Sequence, residues 1–156
     1  GSPSRPPEKQ LVVDQSGVRF RLGPFTLGRD WIVMNIIIEN RGAESVHVAA
    51  IANPDTHTSL RAKLSDNQGT VCAATAEPAG IETIPGPGSI SAASVNSMTT
   101  LPRQARTNIS LDFEGCTLSR GSPLSLSDEF ALATKDQPPQ LATVQFVGIE
   151  QRNDDG

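Results

Sequence analysis

The chain contains no tyrosine, one tryptophan and five phenylalanines among 156 residues. Sugar-binding sandwiches rely on exposed aromatic platforms, and here the phenylalanines fall mostly on core-facing phases. The composition therefore argues against a carbohydrate-binding module. Basic residues are also scarce, 13 against 17 acidic ones, for a net charge of −4. Nucleic-acid binding calls for a basic stripe, and close pairs such as Arg103 and Arg106 make no groove, so no nucleic-acid partner is expected. No apolar run approaches the roughly 18 residues of a membrane-spanning helix. There are two histidines, His47 and His57. A zinc site needs about four ligands, or three plus water. His47, His57 and Asp55 match in number but not in any recurrent spacing, so no metal is expected. No Gly-x-Ser-x-Gly elbow and no phosphate-cradling glycine loop with its lysine is present. Neither a catalytic residue nor a cofactor is expected.

What the chain does have is alternation. Residues 31–40, Trp-Ile-Val-Met-Asn-Ile-Ile-Ile-Glu-Asn, form its longest apolar run. Ile32, Met34, Ile36 and Ile38 make one wholly apolar face, and the β-branched side chains favour a strand over a helix. Val18, Phe20 and Leu22 alternate with Arg19 and Arg21 ahead of it. The Gly23-Pro24 break suggests an edge strand or one that switches sheets. Residues 46–51 follow after a short gap, which predicts an antiparallel neighbour of the central strand. Leu64 and Val71 flank Asp66-Asn67-Gln68-Gly69, the clearest hairpin in the sequence.

From 76 to 106 the pattern fades into Pro, Gly and Ser, with short apolar pieces at 81–84 and 98–101. A weakly patterned segment of this length is either a functional loop or a mobile one, and its composition favours mobility. Order returns at Thr107, Ile109, Leu111 and Phe113, the cleanest alternation in the chain. Leu124 to Leu132 continues in period two, broken only by Asp128; a helix opened by Ser127 is the competing reading. Pro138-Pro139 predicts a rigid corner before a last strand at 143–149.

Seven to nine short antiparallel strands separated by turns predict an all-β, immunoglobulin-like Greek-key sandwich. Residues 17–150 form its single domain. Residues 1–16 read as a tether, with Gly1-Ser2 resembling a remnant of engineered cleavage, and residues 151–156 as a solvated acidic tail. Such a tether would suit a domain held off a membrane, though a leftover linker reads the same way. Cys72 and Cys116 lie beside predicted strand ends. They suggest one disulfide in an oxidising compartment, with two separate buried thiols as the alternative.

The pattern Phe20-x-Leu22, Val33-x-x-Ile36-x-Ile38-Glu39-Asn40-x-Gly42, Val46-x-Val48 and Leu64-x-Asp66-x-x-Gly69 resembles small exported bacterial proteins with an immunoglobulin-like fold. The resemblance covers residues 18–72 and, more loosely, 101–113. It implies a periplasmic, membrane-anchored or secreted protein without catalysis, whose partners are proteins of the cell envelope. The expected function is protein–protein contact, with a ligand-binding or hydrolytic site built by residues 76–106 as the alternative. A docking position is expected at Val46, Val48, Ala49 and Ile51. The outward phase of that strand carries no charge beyond His47, so an exposed edge there would accept a partner's strand. If another strand of the same domain covers it, docking lies elsewhere.

Overall fold

A computed structural model describes residues 9–52 and 61–151. Twelve strands occur among them: β1 (Val12–Gln15), β2 (Val18–Leu22), β3 (Thr26–Leu27), β4 (Trp31–Asn40), β5 (Val46–Ala52) and β6 (Lys63–Ser65). β7 (Val71–Ala73), β8 (Thr83–Pro85), β9 (Thr99–Leu101), β10 (Arg106–Glu114), β11 (Leu124–Thr134) and β12 (Gln137–Ile149) complete them. One 3₁₀ helix covers Ala92–Ser97.

The strands make two sheets. In the first, β1, β2, β4 and β10 lie side by side, and β3 pairs with β4 beyond the end of β2. In the second, β11 is central. It pairs with β12 on one edge, and on the other with β6 along one half and β5 along the other half. Setting β2-β4-β10 against β5-β11-β12 is the strand arrangement of an immunoglobulin-like sandwich. The count exceeds the expected seven to nine because strands of two or three residues carry no alternating signal. One pair, β5 with β8, is parallel.

The inner faces follow the period-two pattern. Ile32, Met34, Ile36 and Ile38 of β4 are buried against Leu126, Phe130 and Phe146 of the opposite sheet. Phe20 and Phe130 stack across the interface with centroids 5.2 Å apart. Phe130 settles residues 124–132 as a strand, since its whole run joins the ladder of β11. The same alternation drives Asp128 into the core at 5% exposure, between the parts of β11 that pair with β6 and with β5.

Several expectations need correction. β4 and β5 are not paired neighbours; they belong to different sheets, and residues 41–45 carry the chain across. Asn40 anchors that crossing. Its buried amide donates to Glu44 O and Leu101 O, and its Oδ1 accepts from the Gly42 N–H. β2 is no edge strand, because β1 flanks it, and after Gly23-Pro24 the chain resumes on the same neighbour, β4. The tether ends earlier than residue 16: Leu11 and Val13 pack on the core, and β1 pairs with β2. Pro138 and Pro139 lie within β12 rather than at a corner, a position open to proline because this end of β12 pairs, among the described strands, with β11 alone.

The largest departure concerns residues 76–106. Their apolar residues Ile84, Ile90, Val95 and Met98 pack down on Ala49, Ile51, Ala131 and Ala133, forming a second small core on the outer face of the second sheet. β8 and β9 line up along the far edge of β5. β8 and β9 thus extend the second sheet, and the stretch between them is a third layer on its outer face.

A cleft at the disulfide end and its surroundings

The docking position expected at Val46, Val48, Ala49 and Ile51 does not exist as an open edge. β5 is bonded to β11 on one side and to β8 and β9 on the other. Val46 and Val48 face the main core, while Ala49 and Ile51 lie under the third layer. The uncharged outward phase was a true signal of something covering the strand. The cover is the chain's own segment.

Cys72 and Cys116 form a disulfide, with Cα atoms 5.9 Å apart. It ties β7 of the second sheet to the segment leaving β10 of the first. Spanning 44 residues, such a closure stabilises by about 4 kcal/mol on the chain-entropy account.

Beside this bond opens a cleft of about 740 Å³, lined among others by Gly28, Arg29, Ile32, Cys116, Leu118 and Arg120. Its walls are built by hydrogen bonds that short alternating motifs cannot announce. Asp66, at the head of the β6–β7 hairpin, accepts the N–H groups of Gln68 and Thr70 on one oxygen and of Ser119 on the other. The Ser119 bond and its companions hold the Asp66 carboxyl down to about 2, against a smaller opposing effect of burial. Asn67 N–H donates to Ser122 Oγ, which also bonds the Asn67 side chain. Gln151 Nε2 donates to Ser119 O and Ser122 O at 2.7 and 2.8 Å. The loop carrying Leu118 and Arg120 is therefore held by the hairpin and by the end of the described chain. Gly69 supplies the hairpin's left-handed residue, at φ +97°.

On the opposite wall, Gly28 N–H donates to Trp31 O at 2.7 Å, and a Cβ on Gly28 would lie 3.2 Å from the indole ring. Trp31, 44% exposed, rests its ring on that glycine from the outer phase of β4. Neither Arg29 nor Arg120 has an ion-pair or hydrogen-bond partner among the described residues. Two guanidiniums and Leu118 in the cleft, with an exposed indole packed on its lining Gly28, are groups that bind. They offer planar donors, stacking faces and dry contact.

At the other end of β4 lies a second, polar hollow lined by Glu39, Asn40, Arg41, Gln104 and Arg106. Its one carboxylate, Glu39, is already paired. Arg21 donates to Glu39 at 2.8 Å and holds that carboxyl below its usual range, while burial opposes. Arg41 approaches the second oxygen at 3.5 Å.

The remaining sequence candidates are dispersed. His47 Nδ1 lies 3.0 Å from Thr100 Oγ1, bridging β5 and β9. His57 and Asp55 lie outside the described residues. Among the described residues no group of three or more His, Cys, Asp or Glu side chains could hold a metal, and no helix is long and apolar enough to cross a membrane. Residues 76–106, the alternative place for a ligand or hydrolytic site, use their apolar side chains as cover.

No family model matches the chain. No curated protein matches it either. Solved structures that resemble it include the yeast GGA1 GAE domain, at 12% identity and TM-score 0.45, covering 87% of this chain and 96% of that one. A DUF4426 family protein from Pseudomonas aeruginosa has 10% identity and TM-score 0.41, with 92% and 100% covered. The ASH / PapD-like domain 7 of human CEP192 has 15% identity and TM-score 0.41, with 98% and 96% covered. None of the three reaches a TM-score of 0.5, and such a likeness says nothing of ligand or partner.

Proposed function

We propose that this chain is a non-catalytic binding module that contacts another protein through the cleft at its disulfide end. It works after export, in an envelope-associated or secreted assembly of a bacterium, with the Pro-rich start of the chain as its link to a membrane. The observation that carries the reading is the make-up of the cleft. Arg29 and Arg120 line it without partners among the described residues, Leu118 lies with them, and the exposed Trp31 packs on the lining residue Gly28. Trp and Arg are the residues over-represented where binding energy concentrates, and this pair of cations selects an acidic or carbonyl-rich partner surface. The disulfide supports export, since such bonds persist in oxidising compartments.

The test is photo-crosslinking from position 118 in the native host, in the parent and in a variant carrying Trp31→Ala, Arg29→Glu and Arg120→Glu. A protein adduct present in the parent and absent from an equally stable variant supports the reading. An adduct that persists in the variant contradicts it, as does recovery of the variant and parent alike without any adduct.

A further inference from the structure

The open edges of the two sheets are finished unequally. The free side of β10 is closed by the chain itself: Ser110 N–H donates to Ala79 O, and Thr75 N–H donates to Asp112 O. Gly80 comes so near this edge that a Cβ there would collide with Asn108 O. β1 carries Asp14, paired with Arg19 at 2.8 Å, and β7 is three residues long. Charge, shortness and coverage are the usual protections of an edge. β12 is different. It runs for 13 residues, is bonded along one side to β11, and holds no charged residue from Gln137 to Ile149.

Which backbone groups of β12 face away from β11 follows from the alternation of a strand. Val147 exchanges two backbone hydrogen bonds of 3.0 Å with Gln10, and Gln145 O accepts from Gln10 Nε2 at 2.9 Å. The odd-numbered residues therefore point outward, and Leu141 and Thr143 share that direction. Their outward N–H and C=O groups have no partner among the described residues. The opening has two ends. Gln10 fills the place beside Val147, after which the chain turns into β1 of the other sheet. Pro138 and Pro139 have no N–H to offer at the other end. Within the stretch between them, residues 141–145 span about 17 Å of strand, with the side chain of Leu141 43% exposed beside it.

We propose that residues 141–145 accept one extended, uncharged segment of a partner protein as an added strand, with an apolar side chain set next to Leu141. The proposal rests on the reading of the chain as a protein-binding module and adds a second surface to it. Main-chain bonds to Leu141 and Thr143 would supply affinity, and the neighbouring side chains selectivity. A partner segment fits better than a second copy. Antiparallel self-pairing centred on Thr143 would set Pro139 of each copy beside Val147 of the other, where Gln10 already sits.

The experiment pans a display library of seven-residue peptides on the full chain. It then measures the selected peptides against Leu141→Lys, Thr143→Pro and the Arg29→Glu, Arg120→Glu double variant. Leu141→Lys changes an exposed side chain only, so it keeps the test valid should Thr143→Pro unfold. The expected result is peptides of alternating apolar pattern whose affinity falls about tenfold or more in Leu141→Lys and is unchanged in the arginine variant. Peptides that depend on the arginines and ignore Leu141→Lys would support the cleft and overturn the edge. A selection without any peptide sensitive to Leu141→Lys would overturn it too. So would a dimer of the parent chain that Leu141→Lys dissociates, since the occupant would then be a second copy.

Discussion

The two outer faces of this sandwich solve one problem in opposite ways. The outer face of the first sheet is finished with polar pairs. Asp14 meets Arg19, Arg21 meets Glu39, and Asn35 accepts from Ser110 Oγ at 2.7 Å. On the second sheet the corresponding positions are Ala49, Ile51, Ala131 and Ala133, and residues of the 76–106 segment cover them. The lesson is that a strand apolar in both phases, in an antiparallel sandwich, reports a third layer. A free face of such a strand would be a liability, so its apolar outward residues imply that something lies on it.

The largest expected effect separates the faces directly. Ile51→Asp should cost as much as Ile36→Asp, on the order of 4 kcal/mol or more, because each buries an unpaired charge. Ile37→Asp, on the half-buried outer face of the first sheet and opposite Arg21 in the register, should cost about 1 kcal/mol. Urea melts of the three variants check this ordering. An Ile51→Asp protein as stable as Ile37→Asp would make the faces equivalent.

Next in size is the disulfide, which joins the ends of the two sheets. Reduction should lower stability by about 4 kcal/mol, read as a shift in urea midpoint with and without reductant. The intact mass should rise by two hydrogen atoms on reduction. A free thiol titrated in the unreduced protein would contradict the bond.

Two carboxylates sharpen the contrast between core and surface through pH. Burial raises the Asp128 carboxyl to about 7, so the folded protein holds a proton there that the unfolded chain releases near 3.9. Its contribution is complete below pH 4 and is lost as pH climbs to 7. Asp128→Asn should therefore flatten that slope and raise the melting temperature at pH 8, on the order of 5 °C. Asp66 acts in the opposite sense. Held at about 2 by its N–H donors, it contributes above pH 4 and loses that contribution as pH falls to 2. Asp66→Asn should weaken the protein at pH 7 and much less at pH 2. Melting curves across pH check both signs.

Much of the sandwich was legible in the residues. β4, β10 and the β6–β7 hairpin follow from period-two alternation and a glycine at the turn, and the strand reading of 124–132 holds for the same reason. The exchange of sheets between β4 and β5 was not legible. A five-residue gap suits a hairpin as well as a crossing, and the difference lies in Asn40 bonding Leu101 O, 61 residues away. The cleft escaped because its walls are loops fixed by Asp66, Ser122 and Gln151, contacts between segments 29 to 55 residues apart. The third layer left half a signal. Ala49 and Ile51 announced a cover, but Pro, Gly and Ser between Ile84 and Met98 hid which segment supplies it.

The claim that organises the rest is that residues 84–98 are packed structure on the second sheet. Amide hydrogen exchange tests it most directly. Gly86 N–H donates to Ala52 O, Met98 N–H to Val95 O, and Ala50 N–H to Glu82 O. The account predicts that the Gly86 and Met98 amides are protected and exchange together with Ala50 of β5 in one cooperative opening. Exchange of Gly86 and Met98 at the rate of a free peptide, with Ala50 still protected, would contradict it.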